Sequence, residues 1–163
     1  MLKKIIENSN VDAIFITDMY NLRYFTGFTG TTGMALATKE GKFFFSDFRY
    51  KEQATKQVEE KGFKFVEVGR NSLDKVKEII DKFGIKKVGF EDLNMTFNYY
   101  KKIEELFKVE LLALGSALSN QRLIKKDFEI ENIKKATEIS DIAFAETIKI
   151  VKDTHNIACS YAR

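Results

Sequence analysis

Few side chains in this sequence are of the kinds that break bonds at neutral pH. There is one histidine, His155, and one cysteine, Cys159, and both fall in the last nine residues. A metal site needs three or four ligands, and nothing near His155 supplies them. It reads as an exposed tail histidine. A nucleophilic cysteine needs a partner base and a lowered pKa, so Cys159 reads as a free thiol. Glu91 and Asp92 follow a run of strand character, a common place for sites in α/β proteins. They have no second acidic group or histidine nearby in sequence, and structural roles are expected for both.

The densest set of hydrogen-bonding groups is the loop at residues 27–33. Gly27, Gly30 and Gly33 give a G-x-x-G-x-x-G spacing. This is neither the dinucleotide fingerprint nor a P-loop, because no Gly-Lys-Ser/Thr follows. Thr26, Thr29, Thr31 and Thr32 place hydroxyls on what the glycines suggest is a mobile backbone. Such a loop is either a flexible connection between strands or a ligand-contacting segment, since binding residues favour loops. Asn21, Arg23 and Tyr24 lie just before it and read as a strand edge. Arg23 could bind a carboxylate, although a structural ion pair is the commoner role for such a residue. After the next strand pair, Asp47 is expected to cap a helix, Arg49 to pair with an acid and Tyr50 to join the core.

These groups must be held by the elements around them. Leu2, Ile5 and Ile6 form a short helical stripe. Residues 12–17 read as a strand buried on both faces. Residues 34–38 and 42–46 read as two strands joined by Lys39-Glu40-Gly41. Tyr50, Ala54 and Val58 make residues 47–61 helical, with Gly62 as the stop. Residues 64–68 alternate as a strand. Leu73, Val76, Ile79, Ile80 and Phe83 form the clearest helical stripe, with Asn71-Ser72 as a cap and Gly84 beyond its end. A strand at 87–91 and a helix ending at Phe107, capped by Thr96, lead to a strand at 109–114. The pattern predicts an α/β fold with a mixed sheet of about six strands flanked by helices.

Residues 115–126 are a polar connection. Asp127 is expected to cap a long helix running to about Lys152. On a helical wheel its charged residues gather on one side. Ile130, Ile133, Ala136, Ile139, Ala143, Phe144, Ile148, Ile150 and Val151 spread over the rest. That arc covers roughly half the circumference, wider than the ~100° stripe of an ordinary surface helix. Such a helix needs partners on two sides.

Composition excludes several classes. With 44% hydrophobic residues and 15 Phe the chain can bury a core and is not disordered. No apolar run approaches a membrane span, and the N-terminus lacks a signal-peptide core. The single cysteine excludes an internal disulfide and suits a reducing cytosol. A net charge of +3, from 27 basic and 24 acidic residues interspersed, argues against a nucleic-acid binder.

Two segments carry a family resemblance: Asn21-Leu22-Arg23-Tyr24-Phe25-Thr26-Gly27-Phe28-Thr29-Gly30-Thr31-Thr32-Gly33, and Ser46-Asp47-Phe48-Arg49-Tyr50-Lys51-Glu52-Gln53-Ala54. Val88-Gly89-Phe90-Glu91 and Arg122-Leu123-Ile124-Lys125-Lys126-Asp127-Phe128-Glu129-Ile130 support them. In this order they resemble the N-terminal domain of the creatinase/prolidase/aminopeptidase P family. The resemblance implies a non-catalytic domain preceding a "pita-bread" hydrolase domain. That domain would hold two divalent metals (manganese, cobalt or zinc) on two Asp, one His and two Glu, and would cleave the bond preceding proline. Two such metals generate hydroxide at neutral pH and stabilise a tetrahedral intermediate.

The resemblance also implies a cytoplasmic homodimer acting on proline-containing peptides, in which the 27–33 loop reaches the partner's active site. Phe28 would then be an apolar wall, and Thr29, Thr31 and Thr32 possible substrate contacts in trans. Residues 1–118 correspond to the N-terminal domain and 119–126 to a linker. Residues 127–153 correspond to the first helix of a catalytic domain that the sequence does not continue, so truncation is the expectation. Residues 154–163 do not resemble the family's continuation. No catalytic, cofactor or metal residue is expected in this chain. Two alternatives stand beside this reading: an independent interaction or dimerisation module, and a small-ligand-binding α/β protein using the 27–33 loop.

Overall fold

The computed structural model describes residues 1–161, with side chains described as far as Val151. Two compact units are present, Met1–Arg122 and Leu123–Arg163.

The first unit runs α1 (Leu2–Asn8), β1 (Ala13–Ile16), α2 (Met19–Thr26), β2 (Met34–Thr38), β3 (Lys42–Ser46), a 3-10 turn (Phe48–Tyr50) and α3 (Lys51–Glu59). It continues β4 (Lys64–Glu67), α4 (Ser72–Lys82), β5 (Lys87–Phe90), α5 (Phe97–Phe107), β6 (Glu110–Ala113) and a second 3-10 turn (Ser119–Arg122). The six strands form one mixed sheet in the order β4-β3-β2-β1-β5-β6. Only β2 runs against the others: it pairs antiparallel with β1 and β3, while β1–β5, β3–β4 and β5–β6 are parallel.

The sheet buries both faces. Ile14, Ile16, Ala35, Ala37 and Phe44 face a core shared with α1, α2 and α3, including Ile5, Leu22, Phe25, Ala54 and Val58. Ala13, Phe15, Leu36, Phe45 and Val88 face the other core, with Leu73, Val76 and Ile80 of α4 and Ile103 and Phe107 of α5. This two-sided burial explains why β1 is apolar at every position instead of alternating.

Four local expectations change. Asn21, Arg23 and Tyr24 stand on helix α2, not at a strand edge. Asp18 caps that helix by accepting from the Asn21 amide at 2.9 Å. Gly27 ends it at φ 76°, where a side chain would be strained. The helical stretch expected over 47–61 divides into the 3-10 turn and α3. Asn71 occupies the cap position of α4, but its side chain makes no cap bond. Asp127 does not cap the long helix α6 (Asp127–Tyr161). Lys126 is the cap residue, its carbonyl accepting from Glu129 and Ile130. Glu129 reaches back to the Lys126 amide at 2.8 Å, half of a capping box. Asp127 instead adds negative charge to the first turn.

Helix α6 runs past Lys152 to Tyr161, with no glycine or proline to stop it. Ile139, Ile142 and Phe144 on it are exposed. None of the described helices is long and apolar enough to cross a membrane.

Candidate functional site

Because five of the six strands are parallel, their C-terminal ends share one edge of the sheet. The antiparallel β2 begins at that same edge. The topology therefore brings together segments far apart in sequence: α2 after β1, the 27–33 loop before β2, Asp47–Tyr50 after β3 and Glu91-Asp92 after β5. In open α/β sheets this is the edge at which ligands bind.

The loop is braced, where its glycines suggest mobility. Thr26 is buried; its Oγ1 donates to the Leu22 carbonyl at 2.7 Å and accepts from the Phe28 amide at 3.1 Å. Thr29 lies against α3: its amide donates to Gln57 Oε1 at 3.0 Å, while Gln57 Nε2 and Gln53 Nε2 donate to its hydroxyl. Thr31 Oγ1 shares a 2.8 Å hydrogen bond with the Tyr50 hydroxyl. The Thr32 carbonyl accepts from Ser46 Oγ at 2.6 Å. Gly30 sits over two rings. An added Cβ there would lie 2.2 Å from Phe28 Cζ and 2.8 Å from Tyr50 Cε1, so only glycine fits this approach.

Of the four residues singled out for substrate contact, Thr29, Thr31 and Thr32 are exposed. Phe28 is fully buried. Its ring packs 4.7 Å from that of Phe44 and edge-on to Tyr50 at 5.4 Å. In this arrangement Phe28 presents no open wall; it is the apolar floor under the loop. Gln53 and Gln57, which hold the loop from α3, escaped the sequence reading. Their i, i+4 spacing on a helix places them on one face and was the available signal.

Beside the loop, Asp47 caps the 3-10 turn through the Arg49 amide at 3.0 Å. It also takes a two-pronged contact from the Arg49 guanidinium at 2.9 and 2.8 Å. That guanidinium holds the Asp47 carboxyl below the usual range. Both expected roles are met. Tyr50 is half-buried at the core margin. Arg23 is exposed on α2, and among the described residues no carboxylate lies within ion-pair distance of it. The expected ion pair is not formed there.

The strongest electrostatic feature at this edge centres on Glu91, which is only 4% exposed. Its Oε2 accepts from the backbone amides of Thr17 (2.6 Å) and Asp18 (2.8 Å), and its Oε1 from Asn21 Nδ2 (2.7 Å). The Asn21 side-chain carbonyl in turn accepts from Arg122 Nε at 2.7 Å. A buried anion and a cation are thus joined through a neutral amide whose orientation both ends dictate. Burial pushes the Glu91 carboxyl above its ordinary pKa, while the amides of Asp18 and Thr17 and the Asn21 side chain pull the other way. Asp92 accepts from the Gly115 amide at 2.7 Å.

Glu91 and Asp92 both hold backbone amides of neighbouring segments, but the linkage of Glu91 to Asn21 and Arg122 was not foreseen. A charge placed directly after three buried strand residues was the signal that it needed internal partners. With its oxygens taken by Thr17, Asp18 and Asn21, this carboxylate orders the edge.

Among the described residues, no three His, Cys, Asp or Glu side chains gather as a metal ion would require. The two metals that the resemblance implies therefore find no ligand set among the described residues. His155 and Cys159 have side chains outside the described residues. At the opposite edge, a cleft of about 230 Å³ includes Asp12, Lys39 and Ile85 in its lining. Asp12 is already committed to the Lys86 and Lys87 amides, at 3.0 Å each.

A family model described as the creatinase/prolidase N-terminal domain matches residues 1–124, and the chain belongs to that family. It is 35% identical over 152 residues to a Bacillus subtilis (strain 168) protein named uncharacterized peptidase YqhT, covering 93% of this chain and 42% of that protein. It resembles the solved Xaa-Pro dipeptidase from Bacillus anthracis with a TM-score of 0.84 and 34% identity, over 91% of this chain and 41% of that one. It also resembles the N-terminal domain of cytoplasmic peptidase PepQ from Mycobacterium tuberculosis H37Rv: TM-score 0.66, 25% identity, 74% of this chain and 95% of that one. The chain thus spans about two fifths of the length of the first two proteins.

Proposed function

We propose that this chain is the non-catalytic N-terminal domain of a metal-dependent Xaa-Pro peptidase. The family match over residues 1–124, together with coverage of only about two fifths of the Bacillus relatives, carries this reading. The remaining part of such an enzyme would hold the two divalent metals (manganese, cobalt or zinc) and hydrolyse the bond preceding proline. The domain's share is dimer contacts and a loop that closes the partner subunit's substrate pocket. Exposed Thr29, Thr31 and Thr32 are suited to hydrogen-bond a peptide there, and buried Phe28 supports them from below. We read the exposed apolar side of α6 as the seat of the catalytic domain, and place the enzyme in the cytoplasm, as the M. tuberculosis relative is named.

The test expresses the full reading frame containing this segment, with manganese or cobalt added, and assays dipeptides with proline in second position. Hydrolysis by that protein and none by the 163-residue chain alone is the expected result. No hydrolysis of any Xaa-Pro peptide by the full protein would defeat the reading. Replacing Thr31 and Thr32 by Ala in the full enzyme should raise KM several-fold; an unchanged KM would remove the loop from the substrate pocket while leaving the peptidase reading intact.

A further inference from the structure

We propose that Arg122 is a releasable latch that docks the last turn of the first unit, and that Asn21 is its polarised receptor. The compact unit ends at Arg122. Ser119–Arg122 is a single 3-10 turn with no buried residue of its own. Local bonds tie it back to residues 116–118, among them the Asn120 amide to the Ser116 carbonyl and the Gln121 amide to the Leu118 carbonyl. Among the described residues, two long-range hydrogen bonds dock it: Tyr24 Oη to the Gln121 carbonyl at 3.0 Å, and Arg122 Nε to Asn21 Oδ1 at 2.7 Å. The Arg122 guanidinium also lies 5.9 Å from the centre of the largely exposed Tyr20 ring.

The receptor is aimed before the latch arrives. Asn21 is 3% exposed, and Glu91 takes its NH2 group, so its carbonyl faces outward to accept a cation. The charge-assisted bond that results is strong for a single contact. Its opening is still cheap for the sheet. Glu91 keeps its three donors when Arg122 leaves. Arg122 is half-exposed and regains water, and the turn has no buried residue to withdraw from the core. A turn docked on the rest of the unit by two long-range bonds has the character of a low-stability, locally opening segment. Beyond it, Leu123 and Ile124 are 66% and 87% exposed. The latch therefore decides whether the chain departs from a fixed point or from a loose tether beginning near Leu118. This inference concerns the domain's own exit and does not depend on the peptidase reading.

Amide hydrogen exchange and chymotrypsin cleavage of the whole 163-residue chain test it. Although Leu123 is exposed, a protease needs an extended stretch on both sides of the cut, so cleavage there reports opening of the preceding turn. Arg122→Ala should speed cleavage after Leu123, and exchange of the Asn120 and Gln121 amides, by roughly tenfold, a factor equal to about 1.4 kcal/mol. Exchange of the Thr17 and Asp18 amides, which bond Glu91, should stay unchanged. Arg122→Lys, which keeps a charged donor nitrogen, should restore most of the protection, and Arg49→Ala should leave both rates at the wild-type value. Equal rates in wild type and Arg122→Ala would overturn the latch. So would an increase that spreads to Thr17 and Asp18, since Arg122 would then be part of the core. If Arg122→Ala does not fold, wild type alone decides: the Asn120 and Gln121 amides must exchange at least tenfold faster than those of Thr17 and Asp18, and equal exchange refutes the proposal.

Discussion

Asn21 Nδ2 donates to Glu91 Oε1 at 2.7 Å across 70 positions of sequence, and this contact is buried. It joins the start of α2 to the end of β5, so one amide closes the sheet edge over a carboxylate that is almost entirely buried. Replacing Asn21 by Leu keeps the volume and removes both the donor and the acceptor. It leaves Glu91 short of a partner and Arg122 without its receptor. We expect a loss of about 2–4 kcal/mol, the range for breaking a buried hydrogen-bonded charge. Urea denaturation should show a lower midpoint with an unchanged slope. A loss under ~0.5 kcal/mol would mean that the site relaxes or admits water.

Glu91 also sets a pH dependence. Burial, the larger influence, raises its folded pKa above the ordinary 4.5 despite the amides that favour the ionised form. A group raised in this way stabilises the fold fully below its unfolded pKa, and that contribution is lost as pH rises through the folded value. The stability of wild type relative to Glu91→Gln should therefore be greatest below pH 4.5 and shrink as pH climbs. Asp12 has the opposite sign: hydrogen bonds from the Lys86 amide and then the Lys87 amide hold it below 3.8. Both proteins share Asp12, so its effect cancels in the difference. Urea midpoints at several pH values from ~4 to ~8 measure this. A difference that widens with pH would show that the donated hydrogen bonds outweigh burial.

Gly30 offers a steric test of the loop. A methyl group there would meet Phe28 at 2.2 Å and Tyr50 at 2.8 Å, and neither ring is a freely moving chain end. Phe28 is fixed between Phe44 and the loop. Gly30→Ala should cost about 1–3 kcal/mol, the usual range for overpacking. Gly69→Ala, where a Cβ meets nothing within 4 Å, is the control and should leave the thermal midpoint nearly unchanged. Equal midpoints for the two variants would show that the loop lifts off its aromatic floor without penalty.

The sheet and most helices were legible because each has a clean period and a chain punctuator. Leu73, Val76 and Ile80 face one core and announce α4; Gly62 and Gly84 take positive φ at the expected stops. Helix α2 was hidden because it is short, and its Asn, Arg and Tyr residues mask the Leu22–Phe25–Thr26 buried face. The cap of α6 was misassigned by one residue, since Glu129 reaches back to Lys126 and so makes Asp127 an interior position. The Glu91–Asn21–Arg122 linkage was not legible in local spacing. Its members sit 70 and 101 positions apart, and only the parallel pairing of β1 with β5 brings them together. Phe28 shows the converse: in sequence it is an exposed-looking aromatic in a glycine loop, yet the register of β3 puts Phe44 beneath it.

The Thr31–Tyr50 hydrogen bond separates a bracing role of the loop from direct recognition. Its 2.8 Å contact is exposed, so Tyr50→Phe should cost no more than about 1 kcal/mol of stability. If the proposed peptidase reading holds, the same change in the full protein should raise KM for Xaa-Pro peptides several-fold and alter kcat less, because a loosened loop would position substrate poorly before the chemistry begins. Thr31→Val removes the other half of the same bond. If Thr31 acts only through Tyr50, the double variant should be no worse than either single change, and the coupling energy should equal the single loss. Additive losses would instead mean that the Thr31 hydroxyl touches the peptide itself. Steady-state kinetics of the four proteins, with their stabilities measured alongside, tells the two roles apart.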